Sequence, residues 1–153
     1  MTHRVGPSAN RAGISRERAA EAQEIIDRVT RWAAGRQDVV GLLLVGSYAR
    51  DAARPDSDID LVLLTTDPAP YSGTAWADEL ALGELLRTRA WGPLTERRHA
   101  TASGREVEIG IGSAQWARTD PVDPGTRRVV TDGARPLHDP AGVLAALIRA
   151  CRR

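Results

Sequence analysis

The chain has 153 residues, of which 42% are hydrophobic and 27% are charged, and its formal net charge is +1. Size and composition are typical of one globular domain, and the near-neutral charge gives no reason to expect a nucleic-acid partner. Because there is no lysine and only one cysteine, the sequence excludes Schiff-base chemistry, a lysine-dependent phosphate loop and an intrachain disulfide.

The N-terminal part is predicted to be a tail followed by a helix. Residues 1–13 are rich in Gly, Ser, Asn and Arg and indicate a flexible tail, which leaves residues 14–153 as a single domain. Ser15 can cap a helix whose apolar residues recur at helical spacing until Gly35. No signal peptide or membrane-spanning stretch is visible, so we expect a cytoplasmic protein that has no membrane partner.

Two apolar runs follow, separated by polar residues. Residues 39–45 predict a buried strand that ends at Gly46-Ser47, and residues 47–53 predict a short helix. Residues 59–65 predict a second strand, with Asp58 and Asp60 at its start.

The second half alternates irregularly between helix and strand. Residues 75–89 predict a helix with Leu82, Leu85 and Leu86 on its inward stripe, and residues 94–101 and 105–111 predict a hairpin. Residues 113–118 indicate one helical turn with Trp116, which belongs either to the core or to the border of an acceptor pocket. The remaining predictions are an undecided segment at 126–131, a short strand at 134–138 and a last helix introduced by Asp139-Pro140. This order favours an α+β fold with a small mixed sheet flanked by helices.

Asp58 and Asp60 are two residues apart on a strand, so their side chains share one face. At roughly 6.6 Å apart, two such charges repel by about 2–3 kcal/mol at an effective dielectric near 20. Protonation, pairing with Arg50 or Arg54, or a bound divalent cation would offset that repulsion.

Residues 105–112, REVEIGIG, alternate in the same way and put Glu106 and Glu108 on one face. If this strand lies beside Asp58 and Asp60, Glu108 completes a three-carboxylate cluster; Glu106 is the alternative third carboxylate. Oxygen ligands of this kind suit Mg²⁺ or Mn²⁺, and two such ions about 3.5–4 Å apart promote phosphoryl transfer. The Gly46-Ser47 turn, with its N–H groups and hydroxyl, can bind the phosphates of a nucleoside triphosphate.

Together these residues resemble the nucleotidyltransferase superfamily that includes polymerase beta. The stretch GSYARDAARPDSDIDLVLL is similar to minimal and aminoglycoside-type nucleotidyltransferase domains, and DGARPLHDP is similar to the family's ending. The family commonly has glycine where this chain has Asp51. The resemblance implies a small mixed sheet flanked by helices, and transfer of a nucleoside monophosphate from an NTP, ATP included, to a hydroxyl acceptor, with release of pyrophosphate.

Carried over by position, the resemblance implies that Asp58 and Asp60 hold two divalent ions, and that Glu108 binds one of them and deprotonates the acceptor. Gly46, Ser47 and Arg50 are then phosphate contacts; the alternative for Arg50 is a salt bridge to Asp51 or Asp58. We expect a hydroxylated small molecule, such as an aminoglycoside-like metabolite, as the acceptor. A second copy of the chain or a partner protein could complete the acceptor site. The alternatives are an antitoxin-type module that adenylylates or binds a partner protein, and a nucleotide-binding domain without turnover.

Overall fold

The computed structural model describes the backbone of residues 7–152 and the side chains of residues 16–152. Six strands form one sheet: β1 (Val39–Val45), β2 (Ile59–Thr65), β3 (Glu84–Trp91), β4 (Leu94–Ala100), β5 (Glu106–Gly112) and β6 (Ala134–His138). Their order is β3-β4-β5-β2-β1-β6, and β2 and β5 are parallel whereas the other neighbours are antiparallel. The predicted α+β fold with a small mixed sheet is confirmed.

The helices pack on both faces of this sheet. They are α1 (Pro7–Ala34), α2 (Ala75–Glu79), α3 (Pro124–Thr131) and α4 (Val143–Cys151), with 3₁₀ turns at Ala69–Tyr71 and Ala114–Ala117. On one face, α1 and α2 form a core with the alternate residues of the central strands, such as Leu42, Leu61 and Ile109. On the other face, α3 and α4 pack on Leu43 and Val62. No helix among the described residues is both long and apolar enough to cross a membrane.

The first helix begins earlier than the sequence indicated. It starts at Pro7, so the predicted start after Ser15 is wrong. Residues 1–6 lie outside the described residues, and the flexibility of residues 1–13 stays a prediction. A proline is well suited to a first helical turn, and the Ala and Arg residues that follow are good helix formers. That residues 14–153 form one domain stays a prediction.

The short helix predicted for residues 47–53 is also wrong, because this segment is a tight turn. Ala49 N–H donates to the Gly46 carbonyl (3.1 Å), and Ala52 N–H donates to the Ser47 carbonyl (2.9 Å). Asp51 closes the turn with a φ of 55°. The position where the family commonly has glycine therefore has the left-handed conformation that glycine favours and that Asp tolerates better than most residues.

The helix predicted for residues 75–89 ends at Glu79, and β3 replaces its second half. Gly83 decides this, since its φ is +81° and a Cβ there would lie 2.0 Å from the Ala100 carbonyl oxygen. Leu82 is buried as expected, but Leu85 and Leu86 are 36% and 47% exposed on an edge strand. The leucine spacing is helical, but the pairing of this segment with β4 makes it a strand.

The C-terminal predictions are mostly confirmed. The hairpin of β4 and β5, strand β6 and a last helix are present, and the undecided residues 126–131 belong to α3. The last helix begins at Val143, and the Asp139 carboxylate accepts hydrogen bonds from the Leu144 and Ala145 N–H groups (3.0 and 2.9 Å). Trp116 is buried in the core, as the first of the two alternatives, core or border of an acceptor pocket, predicted.

Candidate active site

The parallel pairing of β2 with β5 brings the predicted carboxylates together. Asp60 lies directly opposite Glu108 in the register of the two strands, and both side chains project from the face that carries Val62. The expectation that the strand of Glu108 lies beside that of the aspartates is therefore confirmed. What these carboxylates do remains a proposal.

Asp60 is also in close contact with the turn after β1. Val45 is its partner across the β1–β2 ladder, and Gly46 follows with a φ of +74°. A Cβ on Gly46 would lie 2.7 Å from Asp60 Oδ2, so a larger residue at this position would displace the carboxylate. Within the described residues, the backbone N–H groups of Ser47 and Tyr48 have no protein acceptor, which leaves them available for an anion.

Arg98 joins three of the predicted carboxylates. Its Nη1 donates to Asp58 Oδ2 (2.7 Å) and to Glu106 Oε1 (3.1 Å), and its Nη2 donates to Glu108 Oε2 (2.8 Å). Sequence reasoning missed this arginine as a site residue. The signal is its place in the hairpin, because Arg98 pairs with Glu108 in the β4–β5 register and therefore shares its face.

Glu96 is a second residue that the sequence did not single out. It is 6% exposed, lies two positions before Arg98 on the same face, and accepts a hydrogen bond from Arg89. Burial, and after it the neighbouring Glu96, raises the pKa of Glu108 to about 7. The pKa of Glu96 itself is lowered: burial opposes this, but hydrogen bonds with Glu108 and Arg89 outweigh it. Glu108 is thus the member of the pair that holds a proton more readily.

The aspartates differ in environment. Burial, and after it the charge of Asp58, raises the pKa of Asp60 to about 6. Asp58 is more open, since its side chain is 39% exposed, and it is paired with Arg98. The repulsion expected between the two aspartates is therefore met partly by an arginine, although not by the Arg50 or Arg54 that the sequence suggested.

Arg105 fixes the loop that carries Asp58. It is 1% exposed, and its Nη1 donates to Tyr48 Oη (2.9 Å) and the Ser57 carbonyl (2.8 Å). Its Nη2 donates to the carbonyls of Arg18 (2.8 Å) and Pro55 (2.9 Å), and its Nε donates to Glu21 Oε1 (2.7 Å). One guanidinium with every nitrogen occupied thus ties α1, the turn after β1 and the segment before β2 together.

Arg50 pairs with neither Asp51 nor Asp58, the two salt-bridge partners that the sequence suggested. Its Nη1 donates to the carbonyl and to the carboxylate of Asp132, both at 3.3 Å, and its side chain is 46% exposed. Asp132 follows α3, next to Gly133 and the start of β6, which pairs with the end of β1. The segment DGARPLH therefore borders the Gly46-Ser47 turn.

Two open cavities meet at Asp60. One, of about 440 Å³, is lined by Gly46, Ser47, Arg50 and Asp58 on the side of the turn. The other, of about 320 Å³, lies on the side of β3 and β4 and is lined by Glu96, Glu108 and the half-exposed Trp91. Asp60 lines both, so a group bound on one side can meet a group bound on the other at this carboxylate.

A divalent cation at this site needs several oxygen ligands close together. Asp58 and Asp60 supply oxygen ligands beside an open cavity, which suits Mg²⁺ or Mn²⁺. Within residues 16–152, however, no group of three or more His, Cys, Asp or Glu side chains is arranged to hold a metal ion. Glu108 is held by Arg98 and, at 3.4 Å, by Arg87, so the predicted three-carboxylate cluster is closed by arginines. Asp58 is held by Arg98 as well, so Asp58 and Glu108 fit a cation beside Asp60 only when Arg98 moves away.

Comparison with known proteins gives one family match. Residues 23–102, just over half of the chain, match the family described as nucleotidyltransferase domain. This range includes Gly46, Ser47, Asp58 and Asp60 but ends before Glu108. No curated protein matches the sequence.

Among solved structures, the chain is similar to an aminoglycoside 6-adenyltransferase from Bacillus subtilis, with 13% sequence identity and a TM-score of 0.47. The similarity covers 63% of this chain and 36% of that chain.

Proposed function

Because this chain belongs to the nucleotidyltransferase domain family, we propose that it transfers a nucleoside monophosphate from a nucleoside triphosphate to a hydroxyl acceptor. The acceptor oxygen forms a bond to the α-phosphorus, the bond from that phosphorus to the pyrophosphate oxygen breaks, and pyrophosphate leaves. The observation that carries this proposal is the position of Asp60 between the Gly46 turn on one side and Glu108 on the other.

The turn is the proposed phosphate site. The N–H groups of Ser47 and Tyr48, together with the Ser47 hydroxyl, would donate to the terminal phosphate oxygens. Arg50 is an exposed guanidinium on the same cavity and would add a charged contact after leaving Asp132. Gly46 contributes by its lack of a side chain, which keeps the Asp60 carboxylate against the turn.

Asp58, Asp60 and Glu108 would hold Mg²⁺ or Mn²⁺, up to two ions, once Asp58 and Glu108 are released from Arg98. Such ions neutralise phosphate oxygens and make the α-phosphorus more electrophilic. The role proposed for Glu108 is to accept the proton of the acceptor hydroxyl, because it faces the cavity on the side away from the phosphates.

The acceptor would occupy the cavity of about 320 Å³ beside Glu108. That volume is at the lower end of small-molecule sites, which span roughly 300–1,000 Å³. We therefore propose a hydroxylated small molecule. Its aliphatic or ring face would lie on Trp91, whose side chain is 46% exposed at the cavity.

The test is mass spectrometry of products after incubation with each of the four NTPs, Mg²⁺ or Mn²⁺, and a panel of hydroxylated acceptors. A second panel of hydroxyl-bearing proteins examines transfer to a protein partner. A mass gain of one nucleoside monophosphate, with release of pyrophosphate, is expected with the native chain and lost in Asp60→Asn. Asp27→Asn, an equal charge change on the exposed side of α1, is the matched control. Transfer by Asp60→Asn at the native rate would contradict the proposal.

One observation favours a second candidate, a nucleotide-binding domain without turnover. Arg98 already neutralises Asp58 and Glu108, the carboxylates that the reaction needs to be free. Binding of NTP without pyrophosphate release across both panels would support this candidate and contradict the first.

A further inference from the structure

A larger cavity lies on the opposite face of the sheet from the carboxylates. Its volume is about 690 Å³, and its lining includes Ile111 near the end of β5. Ile111 is three residues beyond Glu108, which places it roughly 10 Å further along the strand and on the other face. A molecule bound there would not touch the carboxylates, so this cavity goes beyond the proposed transfer reaction.

Arg97 is the charged side chain of this cavity. It is 8% exposed, and its neighbours on β4, Glu96 and Arg98, point to the other face. Its Nη1 donates to the Gly73 carbonyl (3.2 Å) and its Nη2 to the Ser72 carbonyl (2.8 Å). Its Nε is buried and has no hydrogen-bond partner.

This arginine differs from the other buried arginine, Arg105. All three nitrogens of Arg105 have acceptors, and one of those acceptors is the carboxylate of Glu21. Arg97 has two carbonyl acceptors, and among the described residues it makes no ion pair with any carboxylate. Burying a cation without a negative partner costs several kcal/mol unless something compensates it, and an orphaned buried N–H often indicates a missing water or ion.

We propose that this cavity is a binding site for a small molecule that carries an oxyanion, either a carboxylate or a phosphate, held by Arg97. The planar guanidinium matches both groups because it can donate two parallel hydrogen bonds. The rest of the lining suits a ligand with both a polar and an apolar part. It combines hydroxyl and amide groups with apolar side chains and contains no acidic side chain; the apolar ones include Pro68, Pro93 and Ile111.

The test uses the full chain and two simple probes, sodium phosphate and sodium acetate, followed by ¹H–¹⁵N NMR. Sodium chloride at matched ionic strength is the control for screening. Saturable shifts are expected for the Arg97 Nε–H resonance and for the amides of Ser72, Gly73, Thr95 and Ser113. Phosphate bound at the Gly46-Ser47 turn gives a separate set of shifts, so failure of one site is distinguishable from failure of the other.

Two variants refine the result. Arg97→Met removes the guanidinium, and Gln115→Glu adds a negative charge to an exposed position of the lining without changing the core. Each is expected to weaken probe binding at least about tenfold, as loss of a charged hydrogen bond or addition of a like charge does. Gln23→Glu on α1 is the matched control and should bind as the native chain does. Gln115→Glu keeps the test decisive if Arg97→Met fails to fold.

The outcomes separate the ligand sources. Shifts with both probes indicate a general oxyanion site, shifts with phosphate alone indicate a phosphorylated ligand, and shifts with acetate alone indicate a carboxylate. Absence of saturable shifts at Arg97 with both probes overturns the proposal. Shifts that persist unchanged in Gln115→Glu and in folded Arg97→Met overturn it as well.

Discussion

Arg98 Nη1 lies 2.7 Å from Asp58 Oδ2, so the first of the two aspartates is held by a guanidinium rather than left open to solvent. The same arginine reaches Glu108 through its other terminal nitrogen. A divalent cation and this guanidinium would therefore compete for the same carboxylate oxygens.

Arg98→Gln is expected to lower the melting temperature in EDTA and to increase stabilisation by Mn²⁺. Without the arginine, three carboxylates lose their shared cation, which we expect to cost about 1–3 kcal/mol. Thermal unfolding with and without Mn²⁺ measures both effects. Arg87→Gln removes the longer contacts of a half-exposed arginine to Glu108 and Glu96 and should change both quantities less. A Mn²⁺ response no larger than that of the native chain would contradict the competition.

Gly46→Ala is expected to reduce stability by more than the same change at Gly92. Both glycines have positive φ, +74° and +57°, but a Cβ at Gly46 would lie 2.7 Å from Asp60 Oδ2 whereas one at Gly92 meets no atom within 4 Å. The backbone conformation alone costs about 1–2 kcal/mol. Urea unfolding of both variants isolates the additional contact with Asp60, and equal losses would show that this contact is unimportant.

Replacing Arg105 with Lys is expected to destabilise the chain by at least about 3 kcal/mol, because a single ammonium cannot reproduce the five contacts that the buried guanidinium makes. We expect the loop that Arg105 holds to lose its structure before the rest of the chain. Limited proteolysis is expected to cut the segment of residues 53–57 faster in Arg105→Lys than in the native chain. Arg31→Lys, on the exposed side of α1, is the control. Native resistance in Arg105→Lys would show that the loop does not depend on this side chain.

The stability of Asp51 variants should depend on how well the new residue adopts the φ of 55° found at this position. We expect Asp51→Gly to equal or slightly exceed the native stability, since relief of the left-handed strain offsets the greater entropy of glycine in the unfolded chain. Asp51→Val should lose about 1–2 kcal/mol, because a β-branched residue is poorly accommodated there. Chemical denaturation of both variants measures the order, and a valine variant as stable as the glycine variant would contradict it.

His99 should make stability depend on pH. Burial, and to a lesser extent the charge of Arg97, lowers its pKa from 6.5, while a contact with the Gly83 carbonyl opposes this. The unfolded chain therefore binds this proton more readily than the folded chain. The contribution of His99 to stability should be fully present above about pH 6.5 and fall as the pH decreases below it, whereas the raised pKa values of Asp60 and Glu108 give the opposite dependence in the same range.

The free energy of unfolding from pH 5 to pH 8 measures this dependence. Relative to the native chain, His99→Gln should lose less stability, or gain more, as the pH falls from 8 to 5, because only the contribution of the histidine is removed. Identical slopes would assign the dependence to other groups.

The sequence predicts the central strands β1 and β2 well because short, continuous apolar runs bounded by turn residues have few competing interpretations. It also predicts that Asp60 and Glu108 lie on neighbouring strands, since the resemblance to the family implies that both carboxylates belong to one site. It fails at β3, where the leucines fit helical spacing and the strand is determined by Gly83 and by pairing with β4, in which Leu85 pairs with His99. Arg98 and Glu96 escaped notice for a related reason: which face they occupy depends on the register of β4 against β5, which no local pattern specifies.

The parallel contact between β2 and β5 has a consequence for how the protein is made. Asp60 and Glu108 are 48 positions apart along the chain and become neighbours only after the hairpin of β3 and β4 has returned β5 to the middle of the sheet. A nascent chain leaving the ribosome cannot present both carboxylates until the residues up to Gly112 have emerged. If the chain were cut between β2 and β5, one fragment would carry Asp60 and the other Glu108. The proposed catalysis would therefore arise only when the complete sheet has formed.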